Sequence, residues 1–246
     1  MSPATATIKR RLLSYGLLLG ILALTLYFGL AFDHQRRLYL AGVAGVTALL
    51  ALFFWRFERR RPGAKELAVL AVMCAIGVVG RLAFFMLPNV KPMTALVILT
   101  AVCFGAESGF VTGAMTALVS NFYFGQGPHT PWQMLALGLV GYVAGLLFHT
   151  GPLPKKRLPK KRLPKKRLPL CIYGGLATLI IYSGITDLGT MLLVVPTFSW
   201  QALLALYAVG LYHYTVHAVS TVLFLLLAKP LMDILDRICQ KYGLFW

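Results

Sequence analysis

The fold is decided by residues 105–145, which read GAESGFVTGAMTALVSNFYFGQGPHTPWQMLALGLVGYVAG. An apolar helical pattern runs through this stretch and is interrupted at 120–134 by polar, aromatic, glycine and proline residues. A plain turn between two membrane helices needs only a few polar residues and a helix breaker. The interruption carries amides, a histidine and a tryptophan instead, so it indicates a binding surface between two spans.

The composition sets the class of protein. Of the 246 residues, 59% are hydrophobic and only 13% are charged, and the mean hydropathy is +0.76. Such values lie far outside the range of soluble domains, so the chain is predicted to be an all-α polytopic membrane protein. The net charge of +17 falls in short clusters between apolar segments, which makes nucleic-acid binding the weaker interpretation.

A membrane span needs roughly 20 residues. Eight apolar runs approach this length, and each is predicted to be a helix. The first run follows Lys9, Arg10 and Arg11 and is longer than a signal-peptide core, so it is interpreted as a retained span. The fourth and fifth runs are short and meet at Gly105. The predicted spans are approximately 12–32, 38–55, 66–87, 92–105, 108–124, 131–149, 169–187 and 201–228.

The distribution of basic residues predicts the orientation. With the N-terminus in the cytoplasm, most of the 24 lysines and arginines fall on the cytoplasmic side, as the positive-inside rule requires. Both termini are then cytoplasmic, and the protein is expected in the plasma membrane. The connections at 88–92, 124–131 and 188–200 all lie outside.

Two parts are predicted along the chain. Residues 1–62 form an N-terminal two-helix hairpin with basic flanks, and residues 63–246 form a core of six helices. The core contains a basic cytoplasmic loop at 151–168, where Leu-Pro-Lys-Lys-Arg occurs three times without interruption. Its recurrent proline excludes a regular helix. The loop either contacts anionic lipid or a partner, or is a tolerated expansion that reinforces orientation.

Ionisable residues inside a membrane span are energetically costly and therefore indicate a functional role. Arg81 lies towards the outer end of the third span, where it either snorkels to the headgroups or faces a ligand. Lys91 follows the same span and precedes Pro92, which starts the next helix. Together, Arg81 and Lys91 place positive charge at the rim of an external pocket.

Catalytic and metal sites are poorly supported. His213 and His217 lie four residues apart on one helix face, but there is no companion glutamate and no third ligand, so no metal is expected. The four cysteines are scattered and are interpreted as small apolar side chains. An intramembrane hydrolase using Ser120 is the alternative from another class, although no GxSxG turn exposes that serine. No Walker A loop is present, so any dependence on ATP comes from another polypeptide.

Small residues recur at helical spacing. Glycines repeat through 105–113 and again through 138–145, which lets helix backbones approach closely in lipid. Alanines repeat on the third span at Ala64, Ala68, Ala71 and Ala75. That alanine face either packs within the chain or docks against another membrane subunit.

Taken together, these residues resemble the substrate-binding S components of energy-coupling factor (ECF) vitamin transporters. The features that carry the resemblance are Arg81 to Lys91-Pro92, the glycines of 104–114, the segment 120–134 and the glycines of 138–145. The resemblance covers about residues 66–235, and the segment from Asn121 to Gln133 is its most specific part.

The resemblance implies a six-helix binding subunit, not an enzyme, with a pocket open to the outside and no intrinsic cofactor. Transport would need a membrane coupling subunit and two ATPase subunits, and Ala71 and Ala75 match the docking face for the coupling subunit. The hairpin at 1–62 departs from the six-helix pattern. The implied substrate-binding residues are Arg81, Lys91, Asn121, Phe122, Tyr123, Gln126, His129, Trp132, Gln133, Trp200 and His213.

Among the vitamin branches, the sequence is most similar to the cobalamin type. A corrinoid is a large ring with amides at its rim, so its pocket needs apolar and aromatic walls and amide groups at the edge. A histidine facing the cobalt is conceivable. Aromatic and amide groups would equally suit a flavin or a deazapurine such as a queuosine precursor. Pocket volume would separate these ligands.

Overall fold

The computed structural model describes residues 34–149, 168–195 and 198–242, and in these ranges it is all helical, with no strand. The predicted span 12–32 and the Leu-Pro-Lys-Lys-Arg repeat lie outside the described residues. The elements are α1 His34–Arg59, α2 Ala64–Ala83, α3 Met93–Phe104, α4 Ala106–Phe124, α5 Thr130–Phe148, α6 Leu168–Ala177, a π-helical segment Thr178–Tyr182, α7 Ser183–Val194, α8 Trp200–Leu227 and α9 Lys229–Tyr242.

The prediction of an all-α polytopic membrane protein is confirmed. Five stretches within the described ranges are long and apolar enough to cross a membrane, and α3 is a shorter apolar helix. Every residue of α3 is buried, because the other helices surround it. α4 is less apolar because Ser108, Thr112, Thr116 and Ser120 form a stripe at every fourth position, and these side chains are buried inside the bundle.

α4 and α5 pack with their backbones in contact. A Cβ added at Gly113 would come within 2.5 Å of the carbonyl oxygen of Leu137, and one added at Gly141 would come equally close to that of Gly109. A larger side chain at either glycine would therefore push the helices apart. The close approach predicted from the glycine spacing is confirmed.

α1 packs along α4, α5 and α7. The ring of Phe53 stacks on Phe110 with 3.9 Å between ring centroids, and Val46 and Leu50 are buried in the same cluster. Where α1 passes Trp132, a Cβ on Gly42 would lie 3.0 Å from the indole ring. The helix that the six-helix pattern does not include is thus part of the apolar core.

Charged contacts join the helices at the end where α1 ends and α2 begins. Arg60 forms an ion pair with Glu66, and its Nη2 donates to the hydroxyl of Ser108 at 3.4 Å. Nearby, Arg56 Nε lies 3.8 Å from Glu107 Oε1. These contacts connect α1, α2 and α4 at one end of the bundle.

The second span, predicted at 38–55, is longer in the structure, where α1 runs from His34 to Arg59 because no proline interrupts it before Pro62. Three other predicted boundaries also need correction. The third span was predicted to reach residue 87, but α2 ends at Ala83 because residues 84–88 turn ahead of Pro88. The seventh was predicted to end at 187, but the helical stretch continues to Val194, since no proline occurs before Pro196.

The third correction is at the C-terminus. The predicted span 201–228 matches α8, but a further helix, α9, follows a turn at Ala228, with Pro230 near its start. α9 has an apolar side, and its Met232 and Leu235 are buried against the core. It was missed because its length of 14 residues and its charges are unlike those of a span.

Candidate ligand-binding site

Asn121 is the centre of a polar network at the end of the bundle opposite Arg60. Its carbonyl oxygen accepts from Arg81 Nη1 at 2.9 Å, and its amide nitrogen donates to Gln133 Oε1 at 2.8 Å and to Thr130 Oγ1 at 3.2 Å. Arg81 Nη1 also donates to Ser120. The network joins the ends of α2, α4 and α5, and Asn121 itself is only 1% exposed.

The connection 125–129 is held to this network by its own side chains. Gly125 ends α4 with a φ of +100°, which favours glycine. Gln126 then folds back, donating to the Leu118 carbonyl at 2.9 Å and accepting from Thr130 at 3.0 Å. The hydroxyl of Tyr39 donates to the Pro128 carbonyl at 3.2 Å, so α1 contacts this connection as well.

The connection 84–92 lies at the same end, since the rings of Phe85 and Phe124 are 5.4 Å apart. Asn89 adopts a left-handed conformation with φ +61°, and its amide nitrogen donates to Nδ1 of His213 at 2.8 Å. The backbone N–H of Lys91 donates to Ser220 at 3.0 Å. The structure thus brings the predicted connections 88–92 and 124–131 together, and their placement outside the cell stays a prediction from charge.

A small cavity of about 70 Å³ opens between the connection 125–129, α5 and α7. One wall is Trp132, which is 5% exposed and rests on Gly189, while its indole N–H has no hydrogen-bond partner among the described residues. The lining residues are Pro128, His129, Trp132, Gln133, Thr186, Gly189, Thr190 and Leu193.

The comparison with protein families bears directly on this arrangement. A family model described as "ECF transporter, substrate-specific component" matches residues 65–235, which include both connections and the Asn121 network. The chain belongs to this family. The searches of curated proteins and of solved structures each found no significant match.

An S component is a binding subunit and not an enzyme. Ser120, the candidate nucleophile, accepts from Arg81 and donates to the Ala117 carbonyl. His213 pairs with Asn89, and His217 pairs with the hydroxyl of Thr94 at 3.0 Å. In the described part of the chain, no three His, Cys, Asp or Glu side chains form a group that could hold a metal.

Three aromatic residues predicted for the site of this S component lie apart from the network. Phe122 and Tyr123 follow Asn121 on α4 but are 75% and 69% exposed. Trp200 begins α8, is largely exposed, and contacts Phe198 edge-on with 4.9 Å between ring centroids. Their contact with a ligand stays a prediction.

Sequence reasoning missed Asp187 of this S component. The hydroxyl of Tyr214 donates to Asp187 Oδ1, while Oδ2 is buried and has no partner among the described residues. An acidic residue inside a span is itself a signal for function. The predicted span ends at residue 187, so the sequence places this aspartate at the end of a helix and not inside the membrane.

The alanine face of the S component borders an apolar groove of about 350 Å³ between α2 and α4. Ala71 and Ala75 are exposed there, so this face is not covered by the described part of the chain. The hydroxyl of Thr112 also lines the groove and has no hydrogen-bond partner among the described residues.

Proposed function

We propose that this S component captures a vitamin on the outer side of the plasma membrane, and that cobalamin or a related corrinoid is the leading candidate. The observation that carries the proposal is the Asn121 network. Arg81, Asn121, Gln126 and Gln133 gather a guanidinium and three amides at one end of the bundle. Amide and guanidinium groups can donate to and accept from the amides at a corrinoid rim.

The size of the cavity constrains how such a ligand binds. Sites for drug-sized ligands enclose about 300–1,000 Å³, whereas the cavity beside Trp132 measures about 70 Å³. A corrinoid therefore requires the connections and α8 to move apart. Three hydrogen bonds, Tyr39 to Pro128, Asn89 to His213 and Lys91 to Ser220, hold the connections to α1 and α8, and this movement has to break them.

Another vitamin, a flavin or a queuosine precursor is the alternative within the same function. The same amides could hydrogen-bond to the edge of a flat heterocycle, and a smaller ligand would need less opening. The intramembrane hydrolase is the alternative from another class. It has no support from the contacts of Ser120, because neither His213 nor His217 pairs with that hydroxyl.

Delivery of the vitamin to the cytoplasm is proposed to require a membrane coupling subunit and two ATPase subunits, where ATP hydrolysis takes place. The groove beside Ala71 and Ala75 is the proposed docking site for the coupling subunit. Small exposed residues let a partner helix approach closely.

The test is to identify the ligand that the detergent-purified full chain retains after expression in corrinoid-fed cells. We expect visible absorbance of a corrinoid and its mass in the denatured extract. A flavin or deazapurine in its place would move the assignment to that branch. If the protein retains no small molecule and binds none of these with a Kd below about 1 µM, the capture function itself is wrong.

A further inference from the structure

Arg81 and Lys91 lie near each other because the residues next to them, Gly80 and Pro92, are in contact. A Cβ added at Gly80 would come within 2.5 Å of Pro92 Cγ, so the end of α2 and the start of α3 are in direct contact. Arg81 follows Gly80 and Lys91 precedes Pro92. Burial lowers the pKa of Lys91 from 10.5 to about 8, and the neighbouring positive charge of Arg81 contributes to the lowering.

The two cations have no acidic counterpart among the described residues. Arg81 Nη1 donates to the neutral oxygens of Ser120 and Asn121, while the buried Nε has no hydrogen-bond partner in the part of the chain that the structure describes. No described carboxylate forms an ion pair with Arg81 or Lys91. The described acids are placed elsewhere: Glu58, Glu66 and Glu107 at the opposite end, Asp187 on Tyr214, and Asp233 in α9.

Phe124 gives Arg81 a cation–π contact, with Cζ 4.3 Å from the ring centroid, and the other groups around the pair are neutral or add positive potential. His213 and Ser220 contact the connection from α8, and His217 pairs with Thr94 on the first turn of α3. The N-terminus of α3 directs its dipole towards the same place. Two partly buried positive charges without an acid leave the free protein with an unfavourable electrostatic energy that a bound anion would relieve.

We infer that Arg81 and Lys91 form a subsite for an anionic group, a phosphate or carboxylate, of the captured ligand. The inference rests on the proposed capture function and names a chemical requirement of its ligand. Arg81 offers a planar donor group with its buried Nε–H, and Lys91 offers a point charge, which together suit a phosphate or carboxylate oxygen pair. For a corrinoid, the matching group is the phosphodiester of the nucleotide arm.

The first experiment uses inorganic phosphate and does not depend on the identity of the vitamin. Thermal unfolding of the full chain in a non-ionic detergent is measured in phosphate and in chloride at equal ionic strength. At about ten times its Kd, phosphate should raise the Tm of the parent by about 3–6 °C. Lys91→Met should lose this shift, and Lys91→Arg should keep it.

The control removes the same charge from the other end of the bundle. Lys229 is exposed at the start of α9, and Lys229→Met should keep the phosphate shift. No shift in the parent, or an equal shift in the parent and Lys91→Met, would overturn the subsite. A further arm adds phosphatidylglycerol in place of phosphate. Stabilisation by the lipid alone would assign the anion to a headgroup and overturn a soluble ligand.

The second experiment compares two corrinoids by equilibrium binding. Cobalamin carries the phosphodiester, and cobinamide lacks it. Lys91→Met should weaken the affinity for cobalamin about 10- to 100-fold and leave the affinity for cobinamide unchanged. Equal effects on both corrinoids would overturn the anionic contact and leave corrinoid capture standing. If the parent binds neither corrinoid, the corrinoid assignment fails, while the phosphate result still decides the subsite.

Discussion

Asn121 shows how one buried side chain organises the candidate site. Its amide and carbonyl together make hydrogen bonds to Arg81 on α2 and to Thr130 and Gln133 on α5, so that, with Asn121 itself on α4, three helices are joined. A buried polar group with all its partners present fixes the relative position of those partners. Asn121 therefore sets the geometry that a ligand meets at this end of the protein.

We expect Asn121→Ala to weaken ligand binding about 10- to 100-fold, because Gln133 and Arg81 each lose a buried partner. Membrane insertion should be unchanged, since one side chain at a helix end contributes little to the hydropathy of the span. The measurement is the Kd of the purified variant for the retained ligand. Thr47→Ala, which removes an exposed hydroxyl on α1, serves as the control. Parent-like affinity of Asn121→Ala would show that the network does not hold the ligand.

Trp132 cannot be tested in the same way. It is a core residue between Gly42 and Gly189, so Trp132→Ala would cost about 3–5 kcal/mol of stability as well as any ligand contact. A loss of binding in that variant would not separate the two effects. The sequence marks Trp132 as a site residue, and the structure adds a packing role.

Several residues of the site can be predicted from the sequence, and others cannot. Asn121, Gln126 and Gln133 stand out because amides interrupt an apolar pattern. Tyr39 cannot be found in this way, because its bond to Pro128 spans 89 residues and depends on the packing of α1. Local patterns reveal unusual residue types but not long-range partners.

At the scale of elements, the pairing of α4 and α5 depends on glycine. Gly113→Ala should lower the free energy of unfolding by about 1–3 kcal/mol, because the new Cβ meets the Leu137 backbone at 2.5 Å. The measurement is thermal or denaturant unfolding in detergent. Gly45→Ala on α1 is the matched control, since its Cβ would meet nothing within 4 Å.

The control should be neutral or stabilise by about 0.4–1 kcal/mol, as alanine does at an unstrained helical position. Equal destabilisation by both changes would mean that the contact of the two backbones is unimportant. The comparison separates the cost of packing from the helix propensity of alanine, which is the same for both variants.

Helix existence follows from hydropathy, whereas helix ends depend on tertiary context. The spans of α3, α4, α5 and α8 are predicted closely because glycine, proline or a polar segment marks their ends. α7 extends past its predicted end because Asp187 accepts a hydrogen bond from Tyr214 inside the bundle and is not exposed at a helix end. α9 is missed because its apolar side is narrow and gains its stability from the core.

At the scale of the whole molecule, one exposed face is available for assembly. Replacing Ala71 and Ala75 by tryptophan should fill the groove between α2 and α4 and abolish copurification of the coupling subunit, while the Kd for ligand stays unchanged. The control is Ile172→Trp, a similar enlargement at an exposed position on α6 away from the groove. Undiminished copurification of the double variant would remove the docking role.

The network and the groove also share a helix. Arg81 lies in the last turn of α2, and Ala71 and Ala75 lie in its middle. A change in the position of α2 on ligand binding would therefore alter both the Asn121 network and the groove beside Ala71 and Ala75. The sequence identifies each feature separately, but only the fold shows that one rigid helix carries them.

The backbone contact between α4 and α5 has a consequence for motion. Asn121 and Gln133 belong to α4 and α5, two helices that cannot slide or separate without losing that contact. The backbone amide hydrogens of these two helices should therefore be among the slowest to exchange with solvent. The first half of α8 has no buried residue, and its link to the connection 84–92 is through Asn89. We therefore expect α4 and α5 to keep their positions when a ligand binds, and the first half of α8 to move. The ligand should then enter on the side of α8.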